Sequence, residues 1–163
     1  MKKVNWKLLK KLYQKFNLLN KKYEKNFNHN DQYIALIGQW KLKELPKAKT
    51  EKILDEINQK YKEIIAAKFV STVPGEINDH ELQGLINKKC NVFEIIFELF
   101  TKIKSLTIGL GSGDLNTDKK KMALGMDVPV FYNARAALNE AKKEKWMLKY
   151  KEDNKFLSEY ISI

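Results

Sequence analysis

The sequence predicts an α+β domain, and three observations carry that prediction. Short apolar runs alternate with stretches of helical periodicity along the chain. The first such run, Tyr33-Ile34-Ala35-Leu36-Ile37-Gly38, is apolar throughout and stops at glycine, as a strand buried on both faces does. Two further runs are separated by Pro74-Gly75 and Asn78-Asp79 rather than by a helical stretch, so they are expected to pair as an antiparallel hairpin.

The bulk properties agree with one domain and a helical appendage. The chain has 163 residues, 44% of them hydrophobic and 31% charged, enough apolar material for a real core. One cysteine, Cys90, excludes a disulfide framework and a cysteine-based zinc site, and reads as a reduced core residue. His29 and His80 are the only histidines, too few for a His-rich metal centre. No apolar run approaches the ~18 residues of a membrane-spanning helix, and the basic N-terminus lacks the apolar core of a signal peptide. The expected location is the cytoplasm.

The formal charge is +11, and Arg135 is the single arginine among 31 basic residues. Lysine and asparagine have AT-rich codons, so genome composition accounts for much of this bias. A lysine-driven, nonspecific nucleic-acid binder is one reading of the charge. The lack of arginine weighs against specific readout, which favours its planar fork.

The elements follow in order. Residues 4–26 read as a basic amphipathic helix, with Leu9, Leu12, Phe16, Leu19 and Tyr23 at spacings of three and four. That stripe fits packing on the chain's own core, a seam with a second copy, or an anionic lipid surface. Self-association is the functional expectation attached to it, with a homodimer as the product. The polar stretch Asn26–Asp31 reads as a linker, which divides the chain into an appendage, 1–31, and a domain, 32–163. After the first strand, Ile53, Leu54, Ile57, Tyr61, Ile64 and Ile65 share one face of a helix expected over 47–67. Phe69–Val73 and His80–Ile86 are the hairpin strands. Residues 87–103 read as a helix apolar nearly all round. Ser105–Gly111 is the next strand, and a polar loop follows it. Asp127 is a candidate cap for a helix with Pro129 in its first turn and alanines at 134, 136, 137 and 141. Trp146–Tyr150 reads as a last strand, and Phe156–Ile161 as a short helix.

From residue 33 the order is β-α-β-β-α-β, then α and β. This is the ferredoxin-like split βαβ order, which predicts an antiparallel sheet with helices on one face, plus the N-terminal helix.

Three places carry candidate chemistry. Gly109-x-Gly111-x-Gly113 lacks the spacing of a dinucleotide fingerprint; its glycines suit either phosphate approach or strand curvature. Asp79, His80 and Glu81 lie at the hairpin, where a carboxylate pair would suit Mg²⁺ and a plain polar tip is the alternative. Arg135 lies two turns into a helix whose N-terminus favours anions. It suits either a phosphoryl oxygen or a buried carboxylate.

Three segments together resemble the SatD family of small bacterial proteins. They are Ala35-Leu36-Ile37-Gly38, Glu81-Leu82-Gln83-Gly84-Leu85, and Ile108-Gly109-Leu110-Gly111 with Gly125-Met126-Asp127-Val128-Pro129-Val130-Phe131-Tyr132-Asn133-Ala134-Arg135. The second is similar to a family G-D-E-F-Q-G-L hairpin and the third to a G-x-D-G-P-x-Y-x-A-R run. The resemblance covers roughly residues 33–145. It implies a nucleotidyl cyclase-like fold, similar to class III cyclase and GGDEF palms. In those palms an aspartate after the first strand and an acidic hairpin residue hold two metal ions over a nucleoside triphosphate, which is how two-metal chemistry is organised. Here Gln39 and His80 stand at the two positions. The resemblance therefore implies a pseudoenzyme with no catalytic residues, no metal ligands and no cofactor. It leaves a nucleotide-shaped cleft built from Gly38, Gln39, His80, Glu81 and Gln83. Gly109, Gly111, Asp127, Asn133 and Arg135 complete it. The expected function is nucleotide binding or protein interaction. The enzyme alternative is a Mg²⁺-dependent nucleotidyltransferase or cyclase using Glu76, Asp79 and Glu81. Palm-type cyclases place their sites at dimer interfaces, which is why a homodimer is also implied.

Overall fold

A computed structural model describes residues 33–41, 45–72, 79–87, 92–113 and 129–151, together with Lys7, Lys10, Lys11 and Gln14. Those four residues are helical and exposed. The stripe Leu9, Leu12, Phe16, Leu19 and Tyr23 lies outside the described residues, as do Cys90, Asp127 and the expected 156–161 helix. The elements run β1 (Tyr33–Lys41), α1 (Lys47–Lys60), β2 (Ile65–Thr72), β3 (Asp79–Ile86), α2 (Val92–Lys102), β4 (Thr107–Gly113), α3 (Pro129–Glu144) and β5 (Leu148–Lys151). The fold is α+β, with five strands in one mixed sheet and three helices.

The sheet order is β2-β3-β1-β4-β5. Neighbours are antiparallel from β2 to β4, and β5 joins β4 in parallel. This corrects the expected antiparallel sheet. The cause is the crossover: α3 carries the chain back along β4, so the next strand starts at the same end and runs the same way.

Side chains alternate across each strand, and two cores result. Ile34, Leu36 and Trp40 of β1 pack with Leu54 and Ile57 of α1 and with Phe93, Ile96 and Leu99 of α2. Ala35 and Ile37 of the same strand pack with Val130, Phe131, Ala134 and Leu138 of α3. Helices thus cover both faces, which corrects the expectation of one helical face. Each fully buried Leu, Ile or Phe in these cores contributes roughly 1.5–3 kcal/mol.

Local chemistry sets the helix limits. Pro46 precedes α1 in extended backbone, and its carbonyl accepts from the Thr50 N–H at 3.1 Å. The helix ends at Tyr61, whose N–H bonds the Ile57 carbonyl at 3.0 Å. Residues 61–64 turn, and Ile65 pairs with Ile86 in the sheet. The helix expected to reach residue 67 is therefore shorter, because the β-branched pair Ile64-Ile65 fits a strand start as well as a helix face. In β2 the register shifts between Ala67 and Val70. Asn58 of α1 bonds both backbone groups of Phe69 there, at 2.7 and 2.9 Å. Helix α2 is amphipathic rather than apolar all round: Glu94, Thr101 and Lys102 are exposed. Its Glu98 accepts from Tyr61 at 2.7 Å and from Lys60, which ties α2 to α1.

Helix α3 ends in a left-handed residue. Lys145 has φ 61°, the Trp146 N–H bonds the Ala141 carbonyl at 2.8 Å, and the Lys145 N–H bonds that of Lys142 at 3.4 Å. This is a Schellman cap carrying a side chain where glycine is preferred. Lys145→Gly is expected to stabilise the fold by about 1 kcal/mol, read as a thermal midpoint raised by ~2–4 °C. An unchanged or lower midpoint would contradict it. Among the described residues no helix is long and apolar enough to cross a membrane.

Candidate functional site

The α3 face of the sheet carries a polar cluster beside the helix. Register places Gln39 of β1 directly opposite Glu81 of β3, and Ile37 opposite Gln83. Gln39, Glu81 and Gln83 therefore share the face that α3 covers in part. Arg135 reaches across from α3 and grips Glu81 with both ends of its guanidinium, Nη1 to Oε2 at 2.6 Å and Nη2 to Oε1 at 2.5 Å. Gln39 Nε2 donates to Glu81 Oε2, and Gln83 Nε2 to Oε1, each at 2.7 Å. Lys142 Nζ, two turns beyond Arg135, donates to Gln39 Oε1 at 2.7 Å.

The electrostatics follow from this geometry. The Glu81 side chain is only 5% exposed, against 39% for Arg135. Burial alone would push the Glu81 carboxyl up, since it favours the neutral form. The Arg135 hydrogen bonds, then those from Gln39 and Gln83, outweigh burial and hold the carboxyl below the ordinary range. Glu81 in turn raises Arg135 further. Both partners are charged at neutral pH.

Of the residues expected in the cleft, Gln39, Glu81, Gln83 and Arg135 come together. The others do not. Gly38 lies on the opposite face, where a Cβ would meet Leu106 and Leu82 at 3.0 and 3.2 Å. His80 also faces that way, stacked on Trp40 with ring centroids 5.4 Å apart. Neither nitrogen of His80, nor Trp40 Nε1, nor Ser71 Oγ has a hydrogen-bond partner among the described residues. Gly109 and Gly111 lie beneath α3, so their role here is close packing rather than phosphate approach. A Cβ at Gly109 would sit 2.3 Å from the Ala134 carbonyl oxygen, and one at Gly111 2.2 Å from the Ala134 nitrogen. Asn133 Nδ2 donates to the Ser112 carbonyl at 3.0 Å and belongs to the β4 end. Lys142 was not foreseen. Its position seven residues after Arg135, on the same helix face, was the available signal.

The two-metal arrangement of the cyclase-like palm does not fit these residues. Gln39 brings a neutral amide, and each Glu81 oxygen already accepts from one amide and one guanidinium nitrogen. A guanidinium beside the carboxylate repels a second cation. Among the described residues no group of three or more His, Cys, Asp or Glu stands ready to hold a metal.

Fold and site define an α+β domain that presents an ion-paired polar cluster on a partly covered sheet face. The SatD family model matches residues 33–147. The chain belongs to the SatD family. No curated protein and no solved structure matches it.

Proposed function

We propose that this SatD-family chain is a binding module of nucleotidyl cyclase-like fold that holds a nucleotide without turning it over. The observation that carries the reading is the fourfold-bonded Glu81: its carboxylate is committed to Arg135, Gln39 and Gln83. The Arg135 guanidinium supplies the positive charge that answers this carboxylate. The strand order β2-β3-β1-β4 with antiparallel neighbours supports the ferredoxin-like assignment. On that assignment, α3 and β5 are additions to the far face and the edge. A homodimer in the cytoplasm, with the N-terminal segment 1–31 as the self-association element, belongs to the same proposal.

A thermal-shift screen tests it. The purified chain is heated with nucleoside mono-, di- and triphosphates and cyclic dinucleotides, with and without Mg²⁺. A ligand at ~100 times its dissociation constant adds about 2.7 kcal/mol of apparent stability. The expected result is a shift with at least one nucleotide that is the same with and without metal. A shift seen only with Mg²⁺ and a triphosphate would favour the enzyme instead. No shift with any nucleotide would overturn the nucleotide reading and leave protein interaction.

A further inference from the structure

Lysines and one tryptophan gather at the end of the sheet where β1 stops and β4 and β5 start. Gln39 of β1 pairs with Thr107 of β4, and Ile108 of β4 with Leu148 of β5. Lys41 lies two residues after Gln39, Lys104 three before Thr107, and Trp146 two before Leu148. All three therefore stand at the same end, across two strand spacings, about 10 Å. Lys143, in the last turn of α3, joins them because α3 leads directly into β5. Lys41, Lys104 and Lys143 are exposed, and none forms an ion pair among the described residues. The negative end of α3 accounts for Lys143 in part, whereas Lys104 lies on no helix. Asp79 stands opposite Lys41 in the ladder. Glu144 is already engaged: its carboxylate accepts from Lys149 at 3.1 and 3.2 Å and from Trp146 Nε1 at 2.8 Å. Counting Asp79 against Lys41 leaves Lys104 and Lys143 as the unbalanced charge.

Trp146 is 40% exposed. Its one side-chain N–H donates to Glu144, which orients the indole and leaves the ring face as what it offers. We infer that this end of the sheet binds single-stranded nucleic acid, with one base stacked on Trp146 and adjoining phosphates on Lys104 and Lys143. The inference is independent of the nucleotide-binding reading, since it uses none of Gln39, Glu81, Gln83 and Arg135. A base stacks on an aromatic face with little regard to its identity. Lysines neutralise phosphates as point charges, also without regard to sequence. A single strand is favoured over a duplex because its bases are free to leave their own stack. An anionic bilayer would also meet the lysines, but holding to one takes a face of several apolar side chains. Trp146 is the only large apolar residue exposed at this end among the described residues.

The test is fluorescence anisotropy of a labelled single strand of about 12 nucleotides, as DNA and as RNA, titrated with the full chain from ~0.05 to ~0.5 M salt. Both strands are expected to bind, with log affinity falling linearly against log salt. Lys104→Ala and Lys143→Ala each reduce that slope by about 0.7. Lys62→Ala, at an exposed lysine before β2 and so at the opposite end of the sheet, leaves it unchanged. Trp146→Ala weakens binding about tenfold, and Trp146→Phe keeps a stacking ring and most of the affinity. Indole fluorescence is quenched on binding, and Trp146→Phe removes that quenching. A thermal midpoint within about 2 °C of the unaltered chain confirms that each variant folds. The inference is overturned by no binding of either strand at low salt, by equal losses from Lys62→Ala and the two lysine variants, or by quenching that survives in Trp146→Phe. Tighter binding to vesicles of anionic phospholipid than to either strand, lost with the same substitutions, would overturn it in favour of a membrane surface.

Discussion

Alanine at Gly109 or Gly111 is expected to cost about 4 kcal/mol, a large share of the 5–15 kcal/mol typical of a whole domain. At both positions the added Cβ would lie 2.2–2.4 Å from backbone atoms of α3. Backbone cannot rotate aside as a flexible side chain can, so the helix must lift from the sheet. Lifting it opens the core between α3 and β1, where Ala35, Ile37, Ala134 and Leu138 are buried. Overpacking a core usually costs 1–3 kcal/mol, roughly; a clash with a helix backbone exceeds that range. Gly113→Ala is the control. Its Cβ would meet Val130 and Asn133 at 3.7–3.9 Å, ordinary contact distance, so its midpoint should move by no more than about 2 °C. Thermal unfolding of the three variants checks this. Equal effects at 109, 111 and 113 would contradict the close approach of α3.

The second large effect is at the ion pair. Arg135→Ala is expected to destabilise by about 2–3 kcal/mol, less than the ~3–5 kcal/mol of a fully buried pair, because the arginine side chain is 39% exposed. The loss arises on the Glu81 side, where a buried carboxylate is left with only the two glutamine amides. Arg135→Lys should not restore it, since an ammonium cannot bridge both oxygens. The pH dependence follows from the lowered Glu81 value. A carboxyl held below its unfolded value contributes stability above that unfolded value, about pH 4.3. The contribution is lost as pH falls through the lower folded value. Denaturant midpoints measured from pH 7 down to pH 3 should therefore converge for Arg135→Ala and the unaltered chain at the acid end. A constant gap across that range would contradict the assignment.

Much of this arrangement was legible in the residues, in separate pieces. The apolar run at 33–38 marked the central strand, and turn signals marked the hairpin. The alanines of α3 and the alternate glycines of β4 were both visible; they are two halves of one contact. Their juxtaposition was not visible, because periodicity does not say which face of a sheet a helix takes. Strand alternation could have separated Gly38 from Gln39 and His80 from Glu81, since sequence neighbours in a strand point to opposite faces. The partner of Arg135 lay 54 residues away, beyond any local rule, and only the β1–β3 register and the position of α3 resolve it. The helix expected over 47–67 overran because Ile64 and Ile65 satisfy both periods.

The central claim is that Arg135, not a metal ion, answers the charge of Glu81 in a nucleotide-binding site. Calorimetric titration of one nucleoside triphosphate into the chain, in EDTA and again in excess Mg²⁺, tests it most directly. The account predicts saturable binding of equal affinity in both, within about twofold, with the triphosphate recovered intact. Binding confined to Mg²⁺, with consumption of the triphosphate that Glu81→Ala abolishes, would contradict it.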